Sequence, residues 1–127
     1  MGRHGGATSS LNAPSSLNYL AVRLRTGETW RYQPAIDHKV GWVALSTGRL
    51  RVPERVEAGE LAIFEPSNEA IDIYADADAE FILGSAVRHP HDLVLGRYSV
   101  HTSAAALRAG EQRINEIRQR LDNEGRL

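Results

Sequence analysis

No cysteine occurs among the 127 residues of this chain, which excludes a disulfide scaffold, a thiolate metal site and a cysteine nucleophile. No apolar run approaches the roughly 20 residues that a bilayer-spanning helix requires. Nothing resembling an apolar signal core follows Met1-Gly2-Arg3-His4-Gly5-Gly6, so a cytoplasmic location is expected. Net charge is scarce, −1 at pH 7, and one sign is missing from a long stretch: residues 57–80 carry eight acids and no lysine or arginine. The preceding stretch is the reverse, with Arg23, Arg25, Arg31, Lys39, Arg49, Arg51 and Arg55 against Glu28, Asp37 and Glu54. Complementary charges on neighbouring strands account for that division. A nucleic-acid surface would need an uncompensated basic cluster, so neither nucleic acid nor membrane is expected as a partner.

What is present is an ordinary globular composition, 42% hydrophobic and 24% charged, in a chain long enough for one core of its own. Residues 1–16 are mostly Gly, Ser, Asn, Ala and Pro and cannot bury enough surface to order themselves; they read as a flexible tail or remnant linker. From Leu17 the apolar period is two. Leu20, Val22 and Leu24 share one phase, and the alternation returns in Trp30 with Tyr32, Val40 with Trp42 and Ala44, and Leu50 with Val52. It continues in Leu61 with Ile63, Ile71 with Ile73, and Phe81 with Leu83. Turn residues separate these runs, at Thr26-Gly27, Pro34, Thr47-Gly48, Pro53, Ala58-Gly59, Pro66-Ser67-Asn68, Asp76-Ala77-Asp78 and Gly84-Ser85. Seven or eight short strands at regular spacing predict an all-β sandwich or barrel. The pattern stops near Gly96. Thr102 or Ser103 can cap a helix whose apolar face is Leu107, Gly110, Ile114, Ile117 and Leu121, and Gly125 ends it.

Chemistry-bearing residues are few. His89-Pro90-His91 with His101 could offer three imidazoles to zinc or iron; the intervening proline argues instead for a rigid loop. His38 stands alone after Ile36-Asp37, as a general base without a visible partner or as a hydrogen-bonded turn histidine. Ser85, Ser99 and Ser103 lack a nucleophile-elbow context. Trp30, Tyr32 and Trp42 read as core residues, and Trp30, Trp42 and Phe64 as the alternative wall of an apolar pocket for a small aromatic ligand.

Three stretches look like a cupin half-barrel pair: Gly27-Glu28-Thr29-Trp30-Arg31-Tyr32-Gln33-Pro34, then Gly41-Trp42-Val43-Ala44 to Thr47-Gly48, then Ala58-Gly59-Glu60-Leu61-Ala62-Ile63-Phe64. The closing run from Leu83-Gly84-Ser85 through His89-Pro90-His91-Asp92 to Gly96, then Tyr98-Ser99-Val100-His101-Thr102-Ser103 opening a helix, closely resembles the C-terminal half of bacterial pirin-like bicupins. The resemblance spans residues 17–127. It implies a single cupin (jelly-roll) domain with its barrel at about residues 17–96 and a loop and C-terminal helix at about 97–122. It also implies tandem barrels in the relatives, with one iron in the N-terminal cupin, and attributed roles of quercetin dioxygenase-like oxygenation and protein-partner regulation.

Set on this chain, the cupin ligand pattern finds no ligands. Anchored on Gly48, its Glu falls on Gly41 and its two His on Asp37 or Ile36 and on Ala35 or Pro34. Anchored on His38, the partner His falls on Ile36 or Val40 and the Glu among Trp42, Val43, Ala44 and Leu45. In the second motif, anchored on Gly59, the His falls on Ala62 and the Asn on Pro66. No metal and no catalytic residue is therefore expected in this domain, and the leading expectation is a metal-free structural or binding module. The alternatives are an oxygenase or isomerase with a relocated site at His89, His91 and His101, and a binder of a small aromatic ligand. A homodimer, or pairing with an N-terminal cupin half, is expected to cover aromatic surface at Trp30, Tyr32 and Trp42.

Overall fold

The computed structural model describes residues 1–11 and 16–126, and these form two compact units, Met1–Arg88 and His89–Leu127. In the first unit a short hairpin, β1 (Arg3–His4) and β2 (Ala7–Thr8), precedes six strands: β3 (Leu17–Leu24), β4 (Thr29–Tyr32), β5 (Val40–Val52), β6 (Glu54–Glu57), β7 (Leu61–Ile63) and β8 (Ile71–Ala86). Strands β5 and β8 are twice the usual length because each serves two sets of partners. The turns expected at Thr47-Gly48, Asp76-Ala77-Asp78 and Gly84-Ser85 are therefore not chain reversals but lie within these continuous strands. Residues 79–86 of β8 pair with β3, and Ile71–Tyr74 pair with β4. Likewise Trp42–Ala44 of β5 pair with β7, and Arg49–Val52 pair with β6. The result is two four-stranded faces, β3-β8-β5-β7 and β4-β8-β5-β6, closing on one core of Tyr32, Val43, Leu45, Leu50, Val52, Val56, Ile73, Ala75, Ala79, Phe81 and Leu83.

The bend that lets β5 serve both faces is visible in its phase. Val43 and Leu45 point inward at odd positions, Leu50 and Val52 at even ones. The switch occurs across register breaks between Leu45 and Leu50, as bulges produce. Gly48 sits in this bend at φ 86°, and a Cβ there would collide with the Asp78 carbonyl oxygen. Only glycine meets both conditions.

Two apolar pairs lie opposite to the core phase expected of them. On β5 the buried set is Val43 and Leu45, so Trp42 and Ala44 face outward; on β7 Ala62 points in while Leu61 and Ile63 are exposed. Both phases of these strands are apolar, so alternation alone could not choose between them. Trp30 and Tyr32 pack inside with the core, as their reading as core residues expects, so they are not part of the aromatic surface expected to be covered by a partner. The first eleven residues also depart from a structureless tail: β1 and β2 pair around Gly5-Gly6, the Arg3 N–H donates to Asn18 Oδ1 at 2.8 Å, and the His4 ring lies 5.5 Å from Trp30. Residues 12–15 of the expected linker lie outside the described residues.

The charges fall as the sequence divides them. Arg31 bonds Asp72, Arg51 bonds Asp76 and stacks on Tyr74, and Arg49 and Arg55 share Glu57, all on the outer side of the β4-β8-β5-β6 face. In the second unit β9 (Val94–Leu95) pairs with β10 (Val100–His101) ahead of α1 (Ala104–Asn123). Ser103 Oγ accepts the Ala106 N–H as N-cap. At the other end the Arg126 N–H reaches Leu121 O and the Gly125 N–H reaches Asp122 O, the paired bonds of a Schellman end. No residue of α1 is buried, and Ile114 is exposed.

Candidate functional site

Polar residues placed in the inward phase of a strand must find partners or lose about 1–3 kcal/mol each. Asn18 shares its phase with Leu20 and Val22, and Ser85 shares its phase with Leu83 and Phe81; both are buried. They meet at Tyr32 on β4, whose hydroxyl receives Asn18 Nδ2–H at 2.9 Å and lies 2.7 Å from Ser85 Oγ. Beyond Ser85 stands His38, from the loop between β4 and β5, 2% exposed, its Nδ1 2.8 Å from Ser85 Oγ. Its Nε2 lies 2.9 Å from Ser16 Oγ. Five side chains thus form one chain of hydrogen bonds across the end of the barrel.

The direction of that chain follows from its first member. Arg3 N–H donates to Asn18 Oδ1, so the amide nitrogen must be the donor toward Tyr32. Tyr32 then gives its one O–H to Ser85, Ser85 gives its own to His38 Nδ1, and Nε2–H donates to Ser16. Every donor has an acceptor in this sense, and His38 is the neutral Nε2–H tautomer. A second ring proton would leave one O–H of the chain without an acceptor whichever way it turned. Burial pushes the His38 pKa below the ordinary histidine value of 6.5, and the nearby Asp37 charge offsets this only in part.

Such a histidine is fully used. Neither nitrogen is free for a metal or a substrate, and among the described residues no buried side-chain polar atom lacks a partner. The cavity beside it, lined by His38, Gly41, Phe64 and Ile71, measures about 30 Å³, room for water and not for an aromatic ring system. A wider open groove of about 690 Å³ lies along β6 and β7, between Val52–Val56 and Glu60–Glu65.

The residues singled out from sequence are dispersed. Trp30 and Phe64 pack on the core side, whereas Trp42 lies on the outer side with its indole over Gly84, where a Cβ would collide with it; the three do not line one pocket. His89 and His91 have ring centroids 5.2 Å apart, and the His89 Nδ1 is occupied with the His91 backbone. His101 gives Nε2 to Ser99 at 2.8 Å and packs against Gly110, where an added Cβ would lie 2.9 Å from the ring. That contact is the reason for a glycine within the helix. Among the described residues no group of three or more His, Cys, Asp or Glu is placed to hold a metal ion. The signal that sequence reading missed is the polar residue in an apolar phase, Asn18 and Ser85, which would have pointed to buried partners for His38.

No protein family matches the chain, and no curated protein matches it. Among solved structures, quercetin 2,3-dioxygenase from Acinetobacter baumannii matches with a TM-score of 0.79 at 17% identity, over 91% of this chain and 40% of that one. A conserved Streptococcus pyogenes protein of unknown function matches with a TM-score of 0.47 at 15% identity, over 62% of this chain and 70% of that one. The chain therefore spans about two fifths of the length of the dioxygenase. The likeness to the dioxygenase establishes the architecture: a cupin β-barrel with one C-terminal helix. No helix of the described residues is long and apolar enough to cross a membrane.

Proposed function

We propose that this chain is a pirin-like cupin that works as a metal-free structural or binding module, paired with another cupin, and not as an oxygenase. One observation carries the reading: the only buried histidine of the barrel, His38, has both ring nitrogens committed to serines. A cupin oxygenase needs open coordination positions on a metal held by several imidazole and carboxylate donors, and here the barrel interior offers Tyr32, Leu50, Ile73 and Leu83 instead. The ending that resembles pirin-like bicupins supports the family assignment, and the dioxygenase likeness supports the fold on which it rests.

Metal analysis of protein purified without an affinity tag tests this. Iron, zinc and nickel all well below one equivalent after dialysis is the expected result. Stoichiometric metal that survives dialysis would overturn the reading. Its loss on replacing His89, His91 and His101 by alanine would assign it to the relocated site. Binding of an aromatic acid or flavonoid in the barrel is tested by thermal shift, and with the interior filled by Tyr32, Leu50, Ile73 and Leu83 no stabilisation is expected.

A further inference from the structure

Hydrogen bonds in series join the His38 ring to the β1–β2 hairpin, through Ser85 Oγ, the Tyr32 hydroxyl and the Asn18 amide to the Arg3 N–H. The hairpin is seated closely on this path. Gly2 stands at φ 94°, where an added Cβ would collide with Asn18 Oδ1 and the Leu17 carbonyl oxygen, so the approach requires glycine. The His4 ring lies 5.5 Å from Trp30 and 5.7 Å from Tyr32. The hold is nevertheless slight. Both strands are two residues long and exposed, and a backbone pair between Met1 and Tyr19 ties them to β3.

We propose that protonation of His38 unlatches this hairpin from the end of the barrel. With the ring neutral, every donor on the path points toward His38. An imidazolium carries N–H at both nitrogens, so Nδ1 must donate to Ser85 Oγ while Nε2–H stays on Ser16. Ser85 then turns its O–H to Tyr32, and Tyr32 turns its own to Asn18. The Asn18 amide receives that proton by exchanging its oxygen and nitrogen, which sets Nδ2–H against the Arg3 N–H. Two donors now face each other across a contact of 2.8 Å, and that contact lies at the exposed hairpin. Once the hairpin leaves, water takes the Asn18 Nδ2–H and every other bond of the reversed path is made. With the hairpin seated, a buried donor stays unpaired. Release also uncovers the Trp30 and Tyr32 rings on which His4 rests.

The charges around the ring set where the change falls and not its direction. Asp37 and Lys39 flank His38 on its own loop, Glu65 and Glu69 line the small cavity beside it from the β7–β8 connection, and all four are exposed. Ser16 ahead of β3 and Ser85 on β8 face the ring uncharged, and the hairpin brings Arg3 and His4. Burial opposes the second proton while the latch is closed. Linkage is reciprocal, so release must raise the His38 pKa by the factor by which protonation favours release. One recovered hydrogen bond corresponds to about 0.5–1 pH unit, hence to about a three- to tenfold change in the open fraction.

Amide exchange and histidine ring titration in the full chain, both followed by NMR from pH 8 to pH 5, decide it. After correction for the intrinsic pH dependence of exchange, the Arg3 amide should lose protection about three- to tenfold as the His38 ring titrates. Its exchange should not respond to low urea, the mark of local opening, whereas that of Leu83 in the core should. His38→Gln should hold the Arg3 protection level, and His4→Gln should keep the fall, which assigns it to the buried ring. Gly2→Val cannot seat the hairpin and leaves His38 in place; the His38 pKa should rise by about 0.5–1 pH unit above the wild type. An Arg3 amide that stays level to pH 5, or one that responds to urea in step with Leu83, overturns the proposal. So does a fall that survives His38→Gln or vanishes in His4→Gln, or an unmoved His38 pKa in Gly2→Val.

Discussion

Lowering the pH from 8 towards 5 should destabilise this protein through His38, and the direction and steepness of the effect follow from the buried chain. The native ring is neutral, with Nδ1 accepting from Ser85 and Nε2 donating to Ser16, and burial holds its pKa below 6.5. Unfolding releases it to the ordinary value. Above that value neither state binds the proton and the stability is complete. As the pH falls below 6.5 the unfolded state takes up a proton that the native state refuses, and stability is lost at up to about 1.4 kcal/mol per pH unit until the folded pKa is reached. The other four histidines are exposed or half-exposed. Urea unfolding of wild type and His38→Gln from pH 8 to pH 5 measures it. The wild type should lose stability faster than the variant below pH 6.5, and the two curves should run parallel above it. Parallel curves throughout, or a wild type that gains on His38→Gln as the pH falls, would refute the neutral buried tautomer.

Further consequences concern single positions. Tyr32→Phe removes the hydroxyl that receives Asn18 Nδ2–H and gives its proton to Ser85; the orphaned buried amide should cost about 1–3 kcal/mol in chemical denaturation, and a change below about 0.5 kcal/mol would mean the chain is not satisfied as described. Gly48→Ala forces a side chain to φ 86° and into the Asp78 carbonyl, so backbone strain on the order of 1–3 kcal/mol plus the collision should lower the urea midpoint; an unshifted midpoint would show that the bend does not depend on this residue. Ser103→Ala removes the cap bond to Ala106 and should cost α1 about 1 kcal/mol, seen as reduced helical circular dichroism on warming. Full helicity at all temperatures would place the helix start elsewhere.

Sequence alone determined which segments could be strands, because period-two alternation is a local property of the chain, but three of its turn signals, at Thr47-Gly48, Asp76-Ala77-Asp78 and Gly84-Ser85, lie inside the long strands β5 and β8. It determined the helix, its stop at Gly125 and a cap at Thr102 or Ser103, because capping uses atoms within a few residues of one another; the structure chose Ser103. The failure of the cupin ligand pattern was also legible, since ligands require particular side chains and those positions hold others. What sequence could not determine was which phase faces the core when both phases are apolar. Trp42 and Ala44 alternate as well as Val43 and Leu45 do, and only the packing of β5 between β8 and β7 turned the first pair outward. His38 shows the same limit. Its partners Ser16 and Ser85 come from the residue before β3 and from β8, up to 47 positions away, and hydrogen bonds across such separations exist only once the sheet has fixed its register. Local pattern therefore decided the elements, and tertiary register decided both the outer apolar face and the closed polar chain, because each is built from residues that are neighbours in space and not along the chain.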